Sequence, residues 1–177
     1  SGSYYVKRIL KQICGRKVPP ADKFNWPNGL LAKALADYYQ DHKNSEEARV
    51  ILDVLKKYYN RWIAGKCRMY YLDDAVSGMA LIDLHQITGE EKYKEAADKI
   101  AEYLFHHETD DGGNLPYRPE QKNGYIFADG IGMVCPFLCK YGAVYDDMNA
   151  VNLAVTQMMN FIQMGMDEKT GLPLSLI

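Results

Sequence analysis

Apolar residues along this chain recur at helical rather than strand spacing, and two kinds of helix alternate. Residues 4–14 (YYVKRILKQIC) place Tyr5, Ile9 and Ile13 about one turn apart and predict a short helix that Lys17 to Pro20 end. After Phe24-Asn25-Trp26-Pro27-Asn28-Gly29, the positions Leu30, Leu31, Ala34, Leu35 and Tyr38 predict a helix to about Asp41. Pro27 suits a first helical position, where its missing N–H costs nothing. Asn44-Ser45-Glu46-Glu47 opens the next helix. Its stripe of Ala48, Ile51, Leu52, Leu55, Tyr58, Tyr59 and Trp62 is backed by charged residues, which is the pattern of one wet face, and Gly65 and Lys66 close it. Asp73 and Asp74 lead into a helix whose Ala75, Val76, Met79, Ala80, Leu81, Ile82, Leu84 and Ile87 cover most of its circumference and predict burial. Thr88-Gly89-Glu90-Glu91 turns the chain into a striped helix carrying Tyr93, Ala96, Ala97, Ile100 and Leu104. A loop over 108–127 precedes a second buried helix over 129–141. A further amphipathic helix with Met148, Val151, Val155, Met158, Met159 and Ile162 follows, stopped by Gly165 and the turn Asp167 to Gly171.

The unit is therefore a largely apolar helix, a turn and an amphipathic helix, used three times, with turns near Lys43, Gly89 and Gly142 at a spacing of roughly 45–55 residues. Strand signals are confined to short loop segments. The expectation is a single all-α domain over 1–177, a toroid or solenoid of repeated helical hairpins with apolar helices inside. In such an array the inner helices run the same way, and their N-terminal ends share one rim. That rim gathers Trp26 and Asn28, then Tyr71, Asp73 and Asp74, then Arg118, Tyr125, Phe127 and Asp129. Helix N-termini directed into such a mouth, with aromatics, an arginine and separated acids, suit an anionic sugar.

Composition narrows the class of partner. The 177 residues are 47% hydrophobic and 25% charged with a net charge of −2, an ordinary globular balance without the basic clusters of a nucleic-acid partner. No run of about 18 apolar residues predicts a membrane span. Ser1-Gly2-Ser3 reads as a tag remnant. Cys14, Cys67, Cys135 and Cys139 have neither metal-site spacing nor disulfide density, so they read as reduced core thiols and lean towards the cytoplasm. His42, His85 and His106-His107 lack partners at ligand spacing, and no structural zinc is expected.

The stretch from Gly112 to Gly142 carries the candidate chemistry. A Gly- and Pro-rich polar loop gains Tyr125 and Phe127, reaches one carboxylate at Asp129 and then turns apolar. Asp129 and Asp73, on neighbouring helices, can act as general acid and base, since a shared site pushes their pKa values apart. The simpler account is that both cap helices; the two roles are compatible. Asp74 reads as the surface or capping member of its pair. Trp26 can stack on a pyranose or merely pack. Arg118 can fork onto a substrate carboxylate or form a surface ion pair. Met133 completes the candidate substrate-binding set. Met148, Met158 and Met159 read as core filler, and Cys135 and Cys139 as packing.

At these junctions the sequence resembles the unsaturated uronyl hydrolases of glycoside hydrolase families 105 and 88. The likeness is carried by NWPNGLLAKAL at 25–35, LDDAVSGMALIDLHQITGEEKYKEAADKIAEYL at 72–104, DGGNLPYRP at 111–119 and FADGIGMVCPFLCKYG at 127–142. It implies about half of an (α/α)6 barrel, because family members continue beyond Leu172 into a Tyr-His pair and further hairpins, where this chain has Pro173 to Ile177. It also implies release of a 4,5-unsaturated uronic acid from the non-reducing end of lyase-generated oligosaccharides. In that chemistry Asp129 protonates the enol-ether double bond and activates water, Asp73 assists, and no metal or organic cofactor is needed. Relatives often carry Trp just before the acid, where this chain has Phe127-Ala128. A half toroid leaves apolar flanks along its first and last helices, which a second copy or a missing C-terminal partner would cover. A non-catalytic hairpin scaffold that binds a protein or glycan is the alternative. A toroid-type sugar epimerase would require paired histidines that this rim lacks.

Overall fold

The computed structural model describes residues 24–118 and 125–174; the helix expected over 4–14, Cys14, and Ser1 to Ser3 lie outside them. Among the described residues the chain forms six α-helices and one 3-10 turn. Helix α1 is Trp26–Asp41, α2 is Glu46–Ala64, α3 is Ser77–Thr88 preceded by the 3-10 turn Leu72–Val76, α4 is Glu91–Phe105, α5 is Ala128–Tyr145, and α6 is Met148–Gly165. Three of them, α1, α2 and α6, begin where a side chain satisfies free N–H groups. The Asn25 side chain accepts from Asn28 N at 3.2 Å, Ser45 Oγ accepts from Ala48 N at 3.1 Å, and the Asp147 carboxylate accepts from Asn149 N and Ala150 N. Pro27 sits in the first turn of α1, as its spacing predicts.

Three hairpins, α1/α2, α3/α4 and α5/α6, stand side by side, with α1, α3 and α5 forming an inner row and α2, α4 and α6 an outer one. The inner helices are parallel, because contacts advance along them in step. At their starts Trp26 N donates to Asp74 Oδ1 at 3.1 Å; further along them Asp83 of α3 pairs with Lys33 of α1 at 3.8 Å and with Lys140 of α5. Close approach depends on two glycines. A Cβ on Gly29 would stand 2.2 Å from Ser77 Oγ, and one on Gly78 would stand 2.3 Å from the Phe137 ring, so only glycine lets α1 meet α3 and α3 meet α5 at this distance. The core between the rows holds Leu35, Ile51, Leu55, Tyr59, Leu81, Leu84, Tyr93, Ile100, Phe137 and Leu138. Each such side chain contributes roughly 1.5–3 kcal/mol on burial. Phe24 stacks on Trp62 at 3.9 Å, and Tyr59 Oη donates to Ser77 O at 2.7 Å, fixing the start of α3 against α2.

Two expectations are corrected. The turn placed near Gly142 lies later, because α5 runs through Gly142 to Tyr145 and Asp146 takes the left-handed conformation that ends it. Gly142 serves instead as a contact, with Val151 Cγ2 2.5 Å from where its Cβ would be. The methionines of α6 do not fill the core. Met148, Met158 and Met159 are exposed, and the helix buries Ala150, Ala154, Gln157, Phe161 and Gly165 instead. Both faces of α6 are apolar, and the one with small residues is the one that can approach α5 closely. Cys135 is buried and directs its thiol to Ala154 O at 3.5 Å, as packing predicts. No helix among the described residues is long and apolar enough to cross a membrane.

Candidate active site

The 3-10 turn at 72–76 and the first turn of α5 bring the two acids together. Gly130, beside Asp129, packs so close to the 3-10 turn that a Cβ on it would lie 3.4 Å from Asp73 Oδ1. Asp73 is buried, and its Oδ1 has no hydrogen-bond partner. Burial first, then the negative charges of Asp129 and Asp74, push the Asp73 carboxyl up to about 6. Asp129 stays exposed, and its Oδ1 accepts from Gly130 N at 3.1 Å. The pair thus has a buried member and a solvent-facing member, the asymmetry that separates acid from base roles.

Neither acid caps a helix as expected. The cap position of α5 is Phe127 without a side-chain bond, and Asp129 lies inside the first turn. Capping falls to Asp74, which is buried and not a surface residue. Its carboxylate accepts from Trp26 N at 3.1 Å and from Tyr71 N at 3.2 Å, tying the start of α1 to the 3-10 turn. Burial pushes Asp74 up to about 6 even against the backbone N–H bonds of Tyr71, Tyr70 and Trp26.

An aromatic wall stands beside the acids. Tyr71 and Tyr117 stack at 5.6 Å with ring planes 13° apart, and Tyr117 meets Phe127 edge-on at 5.4 Å. Tyr125, exposed, tilts against Phe127 at 6.4 Å. The Arg118 guanidinium lies over the Tyr71 ring, 5.7 Å from its centroid, so the ring orients the cation, and no residue among the described ones takes a hydrogen bond from its N–H fork. Trp26, 42% exposed, lies on the same rim.

The family model for Glycosyl Hydrolase Family 88 matches residues 5–174. The chain belongs to that family. It is 23% identical over 146 residues to the unsaturated rhamnogalacturonyl hydrolase YesR of Bacillus subtilis (strain 168), covering 80% of this chain and 41% of that protein. Its fold is similar to a family 105 glycoside hydrolase of C. acetobutylicum ATCC 824, with TM-score 0.78, 22% identity, and coverage of 97% of this chain and 48% of the other. A possible GH105 member from Klebsiella pneumoniae superposes with TM-score 0.75 at 21% identity, covering 88% of this chain and 40% of that one. The GH76A α-1,6-mannanase of Salegentibacter sp. gives TM-score 0.71 at 17% identity, covering 97% and 54%. The chain is thus an all-α array of the helical-barrel type, and it spans about half, or less, of the length of these relatives.

In this family 88 chain the rim assembles Asp73, Asp129, Trp26, Tyr71, Arg118, Tyr125 and Phe127 as the parallel inner helices require. Asn28 contributes its backbone, whose N–H bonds the Asn25 side chain, and Met133 lies one turn into α5 and is partly buried. The residue that sequence reasoning passed over is Tyr117. Besides stacking on Tyr71, it has its phenol pKa raised by burial first and then by the charge of Asp73. Its adjacency to Arg118 in the loop was the available signal.

Proposed function

We propose that this chain carries the acid–base site of a hydrolase that removes a 4,5-unsaturated uronic acid from the non-reducing end of lyase-generated oligosaccharides by hydrating the double bond. The observation that carries the reading is a buried, partnerless Asp73 carboxyl beside the exposed Asp129, under an aromatic wall that holds an arginine. Family membership supplies glycoside hydrolysis, and the Bacillus relative's description as an unsaturated rhamnogalacturonyl hydrolase points to the unsaturated uronide.

Asp129 faces solvent and is the acid that delivers a proton to the enol-ether carbon. It then takes a proton from the water that adds to the resulting cation. The hydrated sugar is a hemiketal; its ring opens, and the leaving alcohol departs from the freed anomeric carbon. Asp73, desolvated behind Asp129, holds its own proton up to about pH 6 and so limits the negative charge that builds up beside the reacting acid. Tyr71, Tyr117, Phe127 and Trp26 offer ring faces to the sugar, and Arg118 its fork to the uronate.

The exposed outer face of α6, with Val155, Met158, Met159 and Ile162, and the exposed Leu172 and Leu174 beyond it, take a further helical hairpin or a second copy in this reading. Because the chain spans less than half of the Bacillus relative, turnover is tested in a longer protein that contains it as well as in the chain alone. The measurement is loss of ultraviolet absorbance of the double bond in unsaturated galacturonyl-rhamnose and glucuronyl disaccharides. If the longer protein with intact Asp129 leaves both untouched, the assignment fails. Asp129→Asn abolishes turnover under this reading, whereas a glycan-binding scaffold without chemistry never turns the disaccharides over and binds them equally well with either residue.

A further inference from the structure

We propose that Gln157 of α6 is the positioning residue of the loop that presents Tyr117 and Arg118 to the active-site rim. Gln157 is 1% exposed, a polar side chain on an otherwise apolar buried face. Both ends of its amide are used on loop backbone: Oε1 accepts from Leu115 N at 2.8 Å, and Nε2 donates to Gly113 O at 2.9 Å. One turn on, Asn160 Nδ2 donates to Gly112 O at 3.0 Å. From the other side His107, at the end of α4, donates its Nε2–H to Pro116 O at 2.8 Å.

The loop is also closed on itself. The Asp110 carboxylate accepts from Gly112 N and Asn114 N, and Asp110 N donates to Asn114 O at 3.0 Å. Two residues beyond the Gln157 bond, Tyr117 N donates to Tyr125 O at 3.2 Å. Few free torsions therefore separate the amide of Gln157 from the Tyr117 ring stacked on Tyr71, and Pro116 removes one more. A buried primary amide with a donor and an acceptor is suited to bracketing a backbone segment, because it satisfies a carbonyl and an N–H at once and any slip of the loop leaves one of them unpaired. Through this bracket the outer helix α6, which holds no acid of the pair, fixes the aromatic wall and the arginine of the rim.

What the loop touches rests on the hydrolase reading; the bracket itself does not. The test uses Gln157→Met, which keeps length and packing but removes both bonds, and Asn160→Ala, which removes the neighbouring one. In Gln157→Met the Leu115 amide is expected to exchange with solvent at least tenfold faster, and the ring-current shifts of Tyr71 to collapse, while amides of α3 and α5 keep their protection. Binding of an unsaturated uronyl disaccharide, followed by NMR titration, is expected to weaken about tenfold in Gln157→Met and less in Asn160→Ala. Unchanged Leu115 exchange and unchanged Tyr71 shifts in Gln157→Met overturn the proposal. So does a loss of protection spread over all helices in both variants, which makes the contact part of the folding core rather than a positioning device. If the loop loosens as expected but the wild-type chain does not take up the disaccharide, the substrate reading is what fails, and the bracket stands.

Discussion

At the residue scale, Asp73 and Asp129 differ because one is desolvated and the other is not. Asp73 owes its raised pKa to burial and then to Asp129, so removing the Asp129 charge has a defined sign. The Asp73 carboxyl, followed by carbon NMR, is expected to titrate near 6 and to move towards the ordinary carboxylate range in Asp129→Asn. An unmoved midpoint would show that the two acids do not share a site. Glycines separate in the same way. Gly78→Ala drives a methyl into the Phe137 ring and is expected to cost about 1–3 kcal/mol in denaturant unfolding. Gly132, exposed on α5 with nothing within 4 Å of an added Cβ, is the reverse case. Gly132→Ala is expected to stabilise the chain by roughly 0.5–1 kcal/mol, since alanine loses less backbone freedom in a helix. Nothing in the residue pattern distinguishes these two glycines; only the neighbour across the interface does.

At the element scale, the 3-10 turn at 72–76 matters more than its length suggests. Asp74 caps it through Tyr71 N and reaches across to Trp26 N, so one carboxylate holds the turn and the first turn of α1 at a common level. Asp74→Ala leaves those N–H groups unpaired and is expected to cost about 2–3 kcal/mol, measured by urea unfolding, with local exchange rising at Trp26 and Tyr71 first. Helix existence and type were readable because apolar spacing and caps such as Ser45 and Pro27 are local. The inward face of α6 was not. Its large apolar residues form the more conspicuous stripe, yet the helix buries Ala150, Ala154 and Phe161, because contact with α5 at Gly142 rewards close approach over side-chain size. The simpler account of Asp129 as a cap does not hold for a related reason: the N–H groups at the start of α5 leave Asp129 only Gly130 N, and Asp74 does the tying one helix away.

At the scale of the whole molecule, two buried acids make stability depend on pH. Asp73 and Asp74 have folded pKa values raised to about 6 from an ordinary carboxylate value near 4. Between these limits the folded chain binds more protons than the unfolded one, so stability falls as pH rises from about 4 to about 6 and then levels. Asp73→Asn removes its share of that fall and is expected to raise the melting temperature at pH 7, by about 1–3 kcal/mol in free energy, while diminishing activity. A variant with the same slope as wild type would show that Asp73 is not the titrating group. The exposed apolar face of α6 predicts concentration-dependent association of the chain by light scattering, reduced by Met158→Lys with Ile162→Lys; a dispersed monomer at all concentrations would show that this face needs no cover. The sequence by itself determined the helices, their alternation of buried and striped kinds, and from these the parallel inner row that sets the acids on one rim, because periodicity and capping are properties of neighbouring residues. Only the tertiary structure decided that Asp73 is the desolvated acid, that Asp74 is a clamp, that Tyr117 joins the wall and that Gln157 reaches its loop. Burial and partners across helices depend on residues dozens of positions apart, and no local pattern records them.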